Sequence, residues 1–187
     1  MGKIYPAISP EISTWINRQH MFFVATAPLG AEHHINLSPK GMNTFRILDE
    51  KTVCYFDYTG SGAETIAHIR ENKRITVMFC AFEGPPKIVR LHGTGEVLKH
   101  DHKDWKGLAA LFNIPEPPRA IIKANITRVS DSCGFGVPLM DFKSDRDSFT
   151  NWAAGKTTED LANYRRTKNA KSIDGLPAFR FETEQQR

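Results

Sequence analysis

The sequence predicts a mainly β fold: an antiparallel barrel, closed or nearly closed, with interspersed short helices and a C-terminal helical extension. Three observations predict it. Seven segments rich in β-branched and aromatic residues follow one another, several across loops of a few residues, which favours antiparallel pairing over crossovers. So many strands would present long exposed edges unless the sheet curls on itself. From Pro138 onward the chain turns polar and helix-prone, with too little apolar surface for a core of its own.

The elements follow in order. Ile12, Trp15 and Ile16 mark one side of a short N-terminal helix, with Ser9 and Pro10 at its start. Four strands come next: "MFFVATAP", "HHINLS", "TFRILD" and "TVCYFDY", the last apolar on both faces until Asp57. Gly30, Gly41 and Asp49 to Lys51 supply the turns between them. "SGAE" reads as a capping box, Ser61 and Glu64 opening a helix whose apolar stripe is Ala63, Ile66, Ala67 and Ile69 and whose end is Asn72 with Lys73.

The remaining strands are "RITVMFCAF", "KIVRLHGTGEVL" and "AIIKANITRV". In the middle one Val89, Leu91, Gly93, Gly95 and Val97 share a face, and the paired glycines predict a bend or a close backbone approach. Before the last strand, "DHKDWKGLAALF" places Trp105, Leu108, Leu111 and Phe112 at helical spacing, with Asp101 as cap and "NIPEPP" as terminator. Two more helices are expected around Asp145 to Ala154 and Thr158 to Asn169. The 187 residues suit one domain, divided into an arm and helix over 1–19, the barrel over 20–132 and the extension over 133–187. That extension is expected to pack on the barrel or on a second subunit.

Charge and composition narrow the function. Lys plus Arg number 25 against 21 Asp plus Glu, a net +4 spread along the chain rather than gathered in a block, so nothing points to nucleic acid. The lack of a spanning apolar run and of a signal-peptide core predicts a soluble, cytoplasmic protein away from the membrane. Cys54, Cys80 and Cys133 fit neither a disulfide framework nor a zinc site. Cys133, in the Gly-rich "DSCGFGVP", is either an open thiol or a small residue in a tight turn. His33 with His34, and His100 with His102, lack the spacing of a metal site, and no metal is expected.

The stretch "HINLSPKG" alternates like a strand and is then interrupted by Pro39, Lys40 and Gly41. It is either a plain turn or a loop that wraps an anionic group. The order of "INLSPKG", "YFDYTGSGAETIAHIRENKRITVMF" and "PPKIVRLHGTGEV" resembles the pyridoxamine 5'-phosphate oxidase-like family, the FMN-binding split barrels, and the set "SPKG", "TGSGAETIAHIREN", "FCAFEGPPKI", "SCGFGVPL" and "SIDGLPAF" resembles an uncharacterised subgroup of it. The fold pattern covers roughly residues 15–130, and the motifs extend the likeness over nearly the whole chain. The resemblance implies an antiparallel split β-barrel, a homodimer, and FMN held at the subunit interface.

What FMN requires can be matched to residues. Its phosphate wants cations and small donors, and its flat ring wants a dry wall. Ser38 and Lys40 offer a hydroxyl and a cation, while Thr59, Gly60 and Ser61 offer small donors before a helix N-terminus. Glu64 in that first turn would repel a phosphate. The phosphate is therefore expected near Lys40 and Arg46, with Thr59 or Ser61 at its margin, and Asn36 and Leu37 along the ring by analogy with the family.

The chain also departs from true pyridoxamine phosphate oxidases. "MNTFRILD", "TGSGAETI" and "FETEQQR" stand where those enzymes resemble one another in a basic strand, a basic cluster and a substrate-binding segment. The vitamin oxidation is therefore not expected, and no catalytic residue carries over. A dedicated acid or base is not required; the candidates for one are His92, Tyr58 and Arg165, the last placed to bind an anionic substrate but read first as a surface residue. The expected activity is an FMN-dependent oxidation or reduction of a small organic substrate, with NADH or NADPH as electron donor or oxygen as acceptor. The alternative is a non-catalytic flavin, haem or small-ligand binding protein on the same barrel.

Overall fold

Strand β8 (Ala120–Ser132) is the spine of the fold. In the computed structural model, which describes residues 2–112 and 118–179, it pairs with three others: β1 (Ile4–Tyr5), β5 (Thr52–Asp57) and β7 (Ile88–Leu98). With β2 (Phe22–Thr26), β3 (Asn36–Lys40), β4 (Phe45–Ile47) and β6 (Arg74–Cys80), they form one all-antiparallel sheet of eight strands. Its order is β3-β2-β6-β7-β8-β5-β4, with β1 added beside β8. The sheet curls so that β3 and β4 approach across one turn, yet no ladder joins them among the described residues. This is the split barrel that the sequence predicts, with one short strand more than expected.

Period-two alternation divides the core in two. Along β5, Val53 and Tyr55 enter the main core inside the curl, while Cys54 and Phe56 enter a smaller cluster with Leu98, Trp105, Phe112 and Ile121 on the outer face. That explains a strand apolar on both faces. Asp57 has the parity of Val53 and Tyr55, so it faces the end of the main core, where it is fully buried.

The helices follow local chemistry unevenly. Helix α1 (Pro10–Ile16) begins as read, with the Ser9 hydroxyl accepting from the Ile12 amide at 3.3 Å and Ile12 and Ile16 buried. Helix α2 (Glu64–Asn72) ends at a left-handed Lys73, as expected, but its start is a correction. Its N-cap is Ala63 without a side-chain cap bond; Ser61 is exposed, and the Glu64 carboxylate instead accepts from the Ile173 amide at 3.2 Å. A tertiary contact has taken the group that the local motif would use. Helix α3 (Trp105–Ala109) is only five residues, with Asp104 rather than Asp101 at its N-cap position and no side-chain cap bond, and Leu111 lies outside it, exposed. Its "NIPEPP" terminator falls almost wholly outside the described residues, as does "FETEQQR".

Gly93 and Gly95 earn their place by close approach. A Cβ on Gly93 would meet the Asn125 carbonyl at the β-bulge between His92 and Gly93, and one on Gly95 would meet Ile69 of α2. Strand β3 also differs from expectation: it runs on through Pro39 to Lys40. It is an edge strand, so the amide that proline lacks removes no bond from an outer neighbour.

The extension returns to the barrel of its own chain. Helix α4 (Ser148–Ala154) brings Phe149 onto Tyr58 with ring centroids 4.2 Å apart, and α5 (Thr158–Lys168) opens with a true capping box of Thr157 and Asp160. After α5 the chain folds back, and Ala178 and Phe179 join the main core.

Candidate functional site

A cavity of about 330 Å³ opens where β3, the end of β5, the start of α2 and the lead-in to β8 meet. Its size falls within the range of small-ligand pockets. Its two walls differ in chemistry.

The first wall is ionic. Asp57 ends β5 facing inward, and Arg119 precedes β8 on the neighbouring strand. The Arg119 Nε donates to Asp57 Oδ2 at 2.8 Å, and its Nη1 donates to the Gly60 and Gly62 carbonyls at 3.3 and 2.6 Å. From the facing strand Lys40 Nζ donates to Asp57 Oδ1 at 3.3 Å. Burial alone would raise the Asp57 carboxyl, but Arg119 and Lys40 together outweigh it and hold the group below the usual carboxylate range. Arg165 on α5 donates from Nε to Thr59 Oγ1 at 2.9 Å. Burial, and then the nearby Arg119 charge, lower its pKa. Lys40, Arg119 and Arg165 are thus three cations beside the two carboxylates of Asp57 and Glu64.

The second wall is neutral and hydrogen-bonded. Ser38 Oγ donates to Asn36 Oδ1 at 2.8 Å, and Asn36 Nδ2 donates to Thr26 and Thr65 at 3.1 and 2.9 Å. Phe56, Tyr58 and Phe149 add aromatic surface to the same cavity. At its mouth Met42 and Asn43 form a turn with φ of 58° and 54°, a conformation costly for a side chain as large as methionine.

Of the residues expected from the sequence, the fold brings Asn36, Ser38, Lys40, Thr59 and Gly60 to this cavity. Leu37 points the other way, 63% exposed on the outer face of the edge strand, because neighbours in a strand alternate sides. Ser61 is exposed and stands outside the lining. Arg46 is diverted: its guanidinium lies 4.7 Å over the Phe112 ring and donates to the carbonyls of Leu111, Asn43 and Phe45. Among the candidates for a substrate role, Tyr58 lines the cavity and Arg165 bonds to its rim, whereas His92 sits away from it, paired with Thr76 at 3.1 Å. Asp57 and Arg119 went unread. The signal was an acid at an inward parity and a base opening a strand, and nothing local pairs them.

The histidines and cysteines take other parts. His34 pairs with Asp174 at 2.7 Å, and His100 donates to the Pro118 carbonyl at 3.2 Å with its ring tilted against Trp105, centroids 4.0 Å apart. No three potential metal ligands converge among the described residues. Burial pushes the Cys54 thiol up to about 12 and raises Cys80, so both act as core, while Cys133 is exposed. Among the described residues no helix is long and apolar enough to cross a membrane.

A fold with this site can be set beside known proteins. The family model for pyridoxamine 5'-phosphate oxidase matches residues 8–133, more than half of the chain. The chain belongs to the pyridoxamine 5'-phosphate oxidase family. It is 40% identical over 196 residues to the pyridoxamine 5'-phosphate oxidase family protein ustO of Aspergillus flavus, covering 96% of this chain and 78% of that one. HupZ of Group A Streptococcus, solved by crystallography, matches at 26% identity and a TM-score of 0.53, over 65% of this chain and 91% of its own. A Lactobacillus delbrueckii protein solved as a provisional pyridoxamine 5'-phosphate oxidase shares the fold at 20% identity and a TM-score of 0.52, over 67% of this chain and 94% of its own. Within the family, this chain's cavity is built on Lys40, Asp57 and Arg119.

Proposed function

We propose that the protein binds FMN in the cavity between β3 and α2 and uses it to oxidise or reduce a small organic substrate. The observation that carries the reading is the pairing of an excess of positive charge with a neutral, aromatic-flanked wall, on the fold of this family. Lys40, the Thr59 hydroxyl and Arg165 suit the phosphate, since Thr59 accepts from Arg165 and keeps its own hydrogen to give. This moves the expected phosphate partners from Arg46 to Arg165. Asn36, Ser38, Phe56, Tyr58 and Phe149 suit the ring. When bound, the flavin supplies hydride exchange with the substrate. The chain's residues orient it, and the aromatic side chains keep water from the ring.

The family resemblance adds a homodimer, and the outward Leu37 on an open edge strand, next to the 76% exposed Ile35, is apolar surface that a second copy would cover. NADH or NADPH is the proposed electron donor.

The test is the visible spectrum of the purified protein. The expected result is a flavin spectrum, present as isolated or formed on adding FMN, which bleaches with NADH or NADPH. A flavin that never bleaches with any donor leaves a carrier rather than an enzyme. A colourless protein that takes up no added FMN ends the flavin reading.

A further inference from the structure

FMN is a molecule of drug size, and in the cavity between β3 and α2, of about 330 Å³, it leaves no room for a second reactant. A substrate has to come from beside it. The place is a larger cavity, of about 970 Å³, that is also lined by residues 39–42. The end of β3 and the left-handed Met42 turn therefore stand between the two.

This larger cavity is built chiefly from apolar side chains. Trp15 stands near the end of α1, Phe82, Pro85 and Pro86 follow β6, and Met140 and Phe142 come from the extension. The extension is pinned in place. The Met140 amide donates to the Phe82 carbonyl at 2.9 Å, and the Phe142 amide donates to Glu83 Oε1 at 3.1 Å. The Phe142 ring stacks on His20, with centroids 3.7 Å and planes 6° apart. Yet Met140 is 55% and Phe142 43% exposed. Large apolar side chains held in fixed positions, with about half of their surface in water, form the wall of a site shaped before its ligand arrives.

Charge decides what kind of ligand gains by entering. Lys40 is already paired with Asp57. The other cations at the cavity, Arg18, Lys87 and Arg146, are equalled in number by the acids Glu83, Asp141 and Asp145, and Lys87 lies 5.4 Å over the Trp15 ring. No net charge is left to offset the desolvation of an ion, whereas an apolar body gains by burial. The flavin cavity, with its excess of cations, has the opposite bias.

We infer that the larger cavity takes the second reactant, and that this reactant is an uncharged, largely apolar ring compound that lies against Trp15, Phe82 and Phe142 and reaches the flavin past Met42. The inference rests on the flavin reading and deepens it by naming the class of substrate.

The probes are N-phenyl-1-naphthylamine, which is uncharged, and its 8-sulfonate, the same body with one negative charge. Their dissociation constants are measured by equilibrium dialysis on the full-length protein, with and without FMN. The uncharged probe is expected to bind about tenfold more tightly than the sulfonate. Phe142→Ser and Met140→Ser are each expected to weaken it roughly three- to tenfold while leaving FMN binding unchanged. Both side chains are partly exposed, so the fold tolerates either change. With FMN bound, saturation by the uncharged probe is expected to shift the visible flavin band. A sulfonate that binds as tightly, variants that bind as the wild type does, or a flavin band that does not move overturns the inference. So does a Phe142→Ser protein that holds the probe unchanged but loses its dimer in sedimentation, which makes this face an interface between copies. A wild type that takes up FMN but neither probe ends this inference alone. One that takes up no FMN ends the proposed function, and the substrate role falls with it.

Discussion

The two walls of the cavity solve the problem of buried polarity in opposite ways. On the ionic wall Asp57 is charged, and two cations from different strands neutralise it. On the neutral wall Thr26, Asn36, Thr65 and His68 carry no charge and are linked through hydrogen bonds. The difference teaches what each wall can tolerate. Removing one member of a buried ion pair strands the rest in a low dielectric, whereas cutting a neutral chain costs about one hydrogen bond. Under the proposed flavin reading, the ionic wall serves stability and the phosphate together, while the neutral wall meets the ring.

The largest expected effect breaks the ionic wall. Asp57→Ala leaves Arg119 and Lys40 uncompensated and should cost about 3–5 kcal/mol, a fall in Tm of roughly 10 °C by calorimetry. The same residue sets a pH dependence. Its carboxyl is depressed in the fold, so its stabilisation is complete above the unfolded value near pH ~4 and is lost as pH falls through the lower folded value. Denaturant unfolding from pH ~6 to pH ~3 should show wild-type stability dropping at the acid end, with a shallower drop in Asp57→Asn. Equal slopes would mean that the ion pairs contribute little.

A smaller effect separates the ligand role of this wall from its structural one. Lys40→Ala should weaken FMN by roughly tenfold more than riboflavin, because only FMN carries the phosphate. Arg46→Ala is the control: with its guanidinium on Phe112, it should leave the FMN-to-riboflavin ratio unchanged and cost about 1 kcal/mol of stability. A ratio that collapses in Arg46→Ala instead would return the phosphate to β4.

The smallest effects test the loop that joins the walls. Ser61→Ala should change stability by less than about 0.5 kcal/mol, since Ser61 is exposed and caps nothing. Thr157→Ala, at the capping box that does form, should cost about 1 kcal/mol. A reversal of that order in thermal denaturation would reinstate Ser61 as a cap.

Much of the fold was legible because it is written locally. The strands of residues 20–132 showed their period of two, Ser9 with Pro10 announced α1, and the glycines of β7 marked a close approach. The site was legible in half. Asn36, Ser38 and Lys40 share a face by alternation alone, but Leu37, read beside them, faces outward by the same rule. Arg46 was lost to the Phe112 ring and the Leu111 carbonyl, which the sequence gives no reason to bring near it, and to the carbonyls of its neighbours Asn43 and Phe45.

By itself, then, the sequence determined most of the elements and the curled antiparallel sheet, which follow from periodicity and turn chemistry, while its motifs carried the resemblance to the family. Only the tertiary structure decided which polar groups meet. Asp57 finds Arg119 across 62 residues and Lys40 across the split of the barrel, and Thr26 finds His68 at 42. Such pairings rest on register between strands and on burial, which raises the cost of every unpaired polar atom. Neither has a signature in the chain's local pattern. That is why the two walls appear only once the sheet has curled around them.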